Sequence, residues 1–237
     1  MSTVVESLDL ACTLILRADP ALIGIVGLSL RVSGTACLLG AAAGLTLGTW
    51  LAVTRLPGHA ALVWAVNTLL ALPSVVVGLL VYLLLSRAGP LGELGILFTP
   101  TAMVIAQSIL VVPLIAALAR RLVLDALVEG GEQLRSLGAG PLTAGTLMLL
   151  HERFGVLIIV LSAFGRAVSE VGAVMIVGGN IDGITRVMTT AIALETSKGD
   201  LPLALALGVV LLGVVGLINL VVGAVQGRSA LVREVFT

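Results

Sequence analysis

Apolar residues in this chain gather into long unbroken runs, with polar residues confined to the stretches between them. A helix needs about 20 apolar residues to cross a hydrocarbon core of about 30 Å. Runs of that length fall near residues 29–53, 61–85, 100–118, 154–178 and 201–226. Five spanning helices are therefore predicted, making an all-α integral membrane protein. Residues 21–30 form a further apolar run, too short to span alone before Arg31, which reads as the start of a long first helix or as an interfacial piece. The expected breaks are Pro57-Gly58, then Gly89-Pro90 with Gly92, a polar loop over 120–153, and a polar stretch over 183–200. The chain divides on this reading into an N-terminal extracytoplasmic or interfacial segment at 1–28, one transmembrane domain at 29–226 and a cytoplasmic tail at 227–237. No internal repeat is visible.

Composition agrees with a lipid solvent. Hydrophobic residues make up 59% and charged residues 11%, with a mean hydropathy of +1.20, whereas soluble domains carry about 25% charged residues. Only 3% of residues are aromatic, which suits helices of Leu, Val, Ala and Gly better than a barrel with aromatic girdles. A net charge of +0 argues against nucleic acid as a partner, because phosphate binding needs clustered Lys and Arg. Cys12 and Cys37 lie far apart and suggest neither a metal site nor a disulfide. Glu6 and Asp9 stand where a secretory signal would be basic, so the first span is expected to serve as an uncleaved targeting signal.

Cytoplasmic loops of membrane proteins carry an excess of Lys and Arg. With the 120–153 loop inside, Arg55, Arg120, Arg121, Arg135, Arg153, Arg228 and Arg233 are cytoplasmic, while Arg17, Arg31, Arg87, Arg186 and Lys198 are outside. Seven against five favours an outside N-terminus and a cytoplasmic C-terminus for five spans. Gly40, Gly44 and Gly48 make a smooth stripe that allows close helix approach. It reads as a seam within the subunit, with a dimer contact as the alternative; Gly223 and Gly227 repeat the spacing more weakly.

The 120–153 loop has an internal pattern. Around LRSLGAGPL a short helix is predicted to stop at Gly138, a residue able to take the left-handed conformation, and to restart beyond Pro141. Leu134 and Leu137 on one face, with Glu132 and Arg135 beside them, would make an apolar knob with a charged rim. In the next span, Arg166 and Glu170 are four residues apart and so share a helix face. Intramembrane charges are costly unless paired or set in a watery cavity, so these two either form an ion pair or border a passage. Beyond them, Gly178-Gly179-Asn180 is a place where backbone amides could face an anion.

The glutamate at 132 and the glycine six residues later resemble the coupling loop of ABC importer permeases, whose pattern is Glu-Ala-Ala, three residues, Gly, nine residues, Ile-x-Leu-Pro. Gln133 and Leu134 replace the alanines here, and Met148 with Leu150-His151 stands in place of Ile and Leu-Pro. The segment AFGRAVSEVGAVMIVGGNIDGITRVMTTAIALETSKGD is similar to permeases of tungstate importers, more than to those for molybdate or sulfate, and residues 72–107 support the same family. The resemblance covers roughly residues 29–226. It implies a type I ABC importer permease fold in a prokaryotic inner membrane, a homodimer embedded in membrane lipid, two ATP-binding subunits and an extracytoplasmic oxyanion-binding protein. It implies that Glu132, Gln133, Leu134, Gly138 and Ala139 meet the ATP-binding subunit, and it gives the chain no catalysis and no cofactor of its own. Arg166, Ser169, Glu170, Gly178, Gly179 and Asn180 are the candidate translocation pathway. Tungstate and molybdate are too alike in size and charge for this sequence to separate them.

Blander roles suit other residues. Pro73 and Pro113 are expected to kink spans, Gln107 to bond across helices, with substrate contact as the alternative, and His59 and His151 to be interfacial or cytoplasmic. Glu195, Thr196, Ser197 and Lys198 fall in the last outside loop, either solvated or facing a binding protein. A secondary transporter is the main competing class, but it would be expected to show two related halves. An intramembrane enzyme would need a nucleophile with its base or a metal site, and no His lies in a predicted span.

Overall fold

The computed structural model describes the backbone of residues 2–235 and the side chains of residues 9–227; the side chains of Glu6, Arg228 and Arg233 lie outside that description. Its elements are α1 (Ser2–Leu16), α2 (Pro20–Val53), α3 (His59–Leu69), α4 (Ser74–Leu85), a 3-10 turn (Gly92–Leu94), α5 (Pro100–Ser136), α6 (Pro141–His151), α7 (Arg153–Val168), α8 (Gly172–Gly178), α9 (Met188–Lys198) and α10 (Leu201–Val235). No strand occurs among the described residues. Three helices, α2, α5 and α10, are each long and apolar enough to cross a membrane. The number rises to five if the bent pairs α3–α4 and α6–α7 each count as one span.

Several elements differ from the hydropathy reading. The run at 21–30 is not among them: it is the first part of α2, the first of the two readings given to it above. The span at 61–85 is broken at residues 70–73, where α3 and α4 meet at 101° and Pro73 forms the N-cap of α4. Residues 154–178 are also not one helix, because α7 ends at Val168 and α8 begins at Gly172. The polar loop at 120–153 is helical over most of its length. At a rise of about 1.5 Å per residue, the 37 residues of α5 extend well past a hydrocarbon core of about 30 Å. Its polar end is therefore still helix, not a separate short one. The stretch at 183–200 contains α9, so Glu195 to Lys198 are helical.

Packing divides the chain into two units, and the division falls inside α2, α5, α7 and α10. The first comprises Met1–Ala36, Pro73–Gln107 and Gly165–Leu217; the second comprises Cys37–Leu72, Ser108–Phe164 and Ile218–Thr237. In the first unit Ala11 of α1, Leu22 and Ile25 of α2, Met188 and Ala191 of α9, and Leu207 of α10 share one buried cluster. Gln107 is also buried there, donating from Nε2 to Ser33 Oγ (3.3 Å) and to the Ala167 carbonyl (2.9 Å). It thus ties α2, α5 and α7 together, which is the cross-helix role its sequence position suggested.

The second unit is built on the glycine stripe of α2. A Cβ at Gly40 would lie 2.7 Å from Val111 Cγ1, and one at Gly44 would lie 2.7 Å from Ile115 Cβ and 2.9 Å from the Val112 carbonyl. A Cβ at Gly48 would run into the Ala116 carbonyl and lie 2.9 Å from Ala119 Cβ. The stripe is therefore a seam between α2 and α5 of one chain. Gly223 and Gly227 meet nothing within 4 Å.

Candidate functional site

Two regions hold the residues singled out above, one in each unit. In the second unit, α5 ends in a helix stop built from backbone geometry. Gly138 has φ of 82°; its N–H donates to the Arg135 carbonyl (2.9 Å) and the Ala139 N–H donates to the Leu134 carbonyl (3.0 Å). This is the paired bonding of a Schellman stop, in which a left-handed residue satisfies the last carbonyls of the helix. Gly140 then takes an extended conformation and Pro141 opens α6 at its first position, where its missing N–H costs nothing. Gly138 and Ala139 form this stop, and Glu132, Gln133 and Leu134 lie on the last turns of α5 that lead into it. Glu132, Gln133 and Gly138 are exposed, whereas Leu134 is half-buried. Leu137 at 76% and Leu142 at 57% exposure flank the turn with apolar surface; Leu150, also exposed, stands at the far end of α6. His151 ends α6 and His59 opens α3.

In the first unit, Arg166 stands in the last turn of α7, and Ser169 and Glu170 fall in the break before α8. Glu170 lies beyond the end of α7, so it does not share a helix face with Arg166, and the two form no ion pair. Instead Glu170 Oε1 accepts the Ala173 N–H (3.2 Å), acting as a cap on α8, and its carbonyl accepts the Thr189 hydroxyl (2.7 Å). The Ser169 hydroxyl donates to the Gly165 carbonyl (3.0 Å). Arg166 is exposed and, among the described residues, makes no ion pair and no side-chain hydrogen bond. It is the one candidate in this set with all its donors uncommitted.

The amides near Gly178-Gly179-Asn180 are not turned outward as a group. The Gly179 N–H donates to the Met175 carbonyl (3.0 Å) and the Ile181 N–H to Thr185 Oγ1 (2.9 Å). The Gly178 carbonyl accepts from the Thr185 hydroxyl (2.6 Å). Asn180 has φ of 52° and donates from Nδ2 to the Thr190 carbonyl (3.3 Å), while its Oδ1 is buried without a partner. The glycines here serve close packing: a Cβ at Gly179 would lie 2.9 Å from Phe98, and one at Gly178 would lie 3.0 Å from Met103 Sδ. A Cβ at Gly172 would lie 2.8 Å from Ser74 Oγ, and one at Gly78 would lie 2.8 Å from Ala173 Cα. At the other end, the Phe98 N–H donates to the Val177 carbonyl (3.0 Å), and Phe98 stands beside Tyr82 at 6.2 Å between ring centroids. The half-helices α4 and α8 therefore run parallel, both starting at a broken span.

Residues that hydropathy passed over hold this region. Ser29 accepts the Met188 N–H (2.6 Å), and Thr185, Thr189 and Thr190 are buried and bonded. Glu195 is only 5% exposed and accepts from Lys198 Nζ (3.1 Å), with Arg186 at 4.0 Å. Thr196, Ser197 and Lys198 remain exposed. The cue in the sequence was a cluster of Ser, Thr and Glu inside an apolar chain, where each polar group must find a partner. Among the described residues no group of three or more His, Cys, Asp or Glu could hold a metal ion.

These features define a multi-pass helical membrane protein whose longest apolar helix continues into a polar, turn-capped end. The chain is 42% identical over 226 residues to the tungstate uptake system permease protein TupB of Peptoclostridium acidaminophilum, covering 95% of this chain and 99% of that protein. It is 40% identical to a probable anion ABC transporter permease of Haloferax volcanii, covering 82% and 86% of the two chains. It is 32% identical to the molybdenum transport system permease protein ModB of Escherichia coli, over 73% and 80%. No protein-family model matches. The chain belongs to the family of ABC transporter permeases that contains these tungstate, anion and molybdenum permeases.

Proposed function

We propose that this chain is the transmembrane permease subunit of an ATP-driven importer for an oxyanion, most specifically tungstate, in a prokaryotic inner membrane. The observation that carries the reading is the 42% identity to a tungstate uptake permease over 95% of the chain. On this reading two copies form the translocation unit, with five spans each, the N-terminus outside and the C-terminus cytoplasmic. The transmembrane domain covers residues 29–226. Two ATP-binding subunits supply the hydrolysis, and an extracytoplasmic binding protein delivers the anion. The chain itself performs no catalysis.

The turn-capped end of α5 is the coupling element, with Glu132, Gln133, Leu134, Gly138 and Ala139 meeting the ATP-binding subunit. Its rigidity favours this role, since a Schellman stop transmits displacement better than a slack loop. Closure of the ATP-binding subunits pulls on this end and alternates access of the pathway. Arg166 and Ser169 border that pathway, with Glu170 moderating the local charge and Gly178, Gly179 and Asn180 shaping the wall beyond. Support comes from the exposure of Arg166 on a single chain: a lone guanidinium facing lipid is costly, whereas water or a second copy accommodates it. An anion in transit needs accessible donors and no tight cage, because strong binding would trap it.

The decisive experiment is tungstate uptake into proteoliposomes holding the permease, its ATP-binding subunit and a tungstate-loaded binding protein. Uptake should require ATP and fall at least tenfold for Glu132→Ala. Uptake that continues without ATP and follows an ion gradient would reject the reading in favour of a secondary transporter.

A further inference from the structure

Between the polar end of α5 and α6 lies a groove of about 430 Å³ that excludes Gly138 but shares Gln133 and Leu134 with the proposed coupling element. Its floor is closed where α5 has no side chain: a Cβ at Gly130 would lie 3.0 Å from Met148 Cε. Leu134, Leu147 and Met148 line it with apolar surface, while Glu129, Gln133, His151 and Glu152 supply polar groups. No Lys or Arg lines it. Glu129 is exposed and has no ion pair among the described residues.

An apolar trough beneath carboxylates matches one kind of visitor. Lys and Arg carry an aliphatic stem that lies along apolar surface and a cationic head that stays at a polar edge. A wholly apolar side chain would bury Glu129 beside it without compensation, and an anionic lipid headgroup would meet like charge. We infer that the α5–α6 groove receives a basic side chain of the ATP-binding subunit, with Glu129 as its counter-charge and Met148 and Leu147 under its stem. The inference rests on the proposed permease role and adds a second contact to it. The Gly138 turn projects toward the partner, whereas the groove takes a projection from the partner. Two contacts of opposite sense fix orientation as well as position. A close charge pair of this kind also raises the association rate in a salt-dependent way.

The test is the affinity of the purified permease for its ATP-binding subunit at low and raised salt. Native protein is compared with Glu129→Gln, Glu129→Lys, Glu132→Ala and Asp125→Asn. Asp125 is exposed on the same helix and does not line the groove. Glu129→Lys should weaken binding tenfold or more, Glu129→Gln several-fold, and both should flatten the salt dependence, with Asp125→Asn unchanged. Native-like affinity and salt dependence for Glu129→Lys overturns the inference; if Glu132→Ala still weakens binding, the permease reading survives that loss. Altered self-association of Glu129→Lys with unchanged affinity assigns the groove to a second copy and also overturns it. Absence of any binding by the native permease removes the permease reading, and this inference with it. Because Glu129 is exposed, the size-exclusion profile of Glu129→Lys should match the native one.

Discussion

Glu170 shows how one residue can carry two separable tasks. Its Oε1 caps α8 through the Ala173 N–H, and its charge stands near a pathway proposed for an anion. Glu170→Gln keeps a capping oxygen and removes the charge, whereas Glu170→Ala removes both. Loss of such a cap costs about 1 kcal/mol, so Glu170→Ala should lower the melting temperature in detergent and Glu170→Gln should not. With the negative charge gone, the anion is held more firmly, and half-saturation and maximal uptake should fall together in Glu170→Gln. Unchanged uptake kinetics in that variant would leave Glu170 as a cap alone. The sequence brought Arg166 and Glu170 forward as a pair because a continuous helix was assumed; spacing cannot reveal a break that keeps the same apolar composition on both sides. Ser169-Glu170 followed by Gly172 was the available cue, since polar oxygens that cap helices precede the first turn they serve.

At the scale of elements, the seam between α2 and α5 is the part most open to direct test. Helices in lipid associate through close packing, with no hydrophobic drive between them, so volume added at the seam must separate them. Gly44→Leu would thrust its side chain into Ile115 and the Val112 carbonyl, whereas Gly223→Leu meets nothing within 4 Å. Overpacking of this kind costs about 1–3 kcal/mol. The melting temperature in detergent should drop sharply for the first variant and stay native-like for the second. That seam was legible because small residues every fourth position have one main structural use. Helix lengths were less so: hydropathy registers where lipid ends, not where hydrogen bonding ends. α5 therefore continues 18 residues beyond the span read to residue 118, and α9 escaped notice because its Thr and Glu side chains resemble a loop yet are buried and paired. The Gly138 stop was legible, because glycine in the left-handed region leaves a readable mark before Pro141.

Over the whole molecule, the topology depends on whether each bent pair crosses the membrane once. The α3–α4 pair bends by 101° and α6–α7 by 76°, so either could instead enter and leave on one face. α5 offers a fixed reference, since it alone joins residue 100 to residue 136 without interruption and must place its ends on opposite sides if it spans. With Cys12 changed to Ser and Cys37 to Ala, single cysteines can be placed at Glu93, Ser136 and Lys198, all exposed. Cys37 donates only a weak bond to the Val160 carbonyl (3.4 Å), so Ala should be tolerated there. A membrane-impermeant maleimide applied to intact cells should label Glu93→Cys and Lys198→Cys but reach Ser136→Cys only after permeabilisation. Labelling of Ser136→Cys alone would invert the whole orientation and with it the inside assignment of Arg135 and Arg153. If Ser136→Cys and Lys198→Cys reacted on the same side, the α6–α7 pair would be re-entrant and the five-span topology would fail. The end of α5 would then share a compartment with α9, and the separation of an ATP-coupling face from a substrate-delivery face, on which alternating access depends, would have no structural basis.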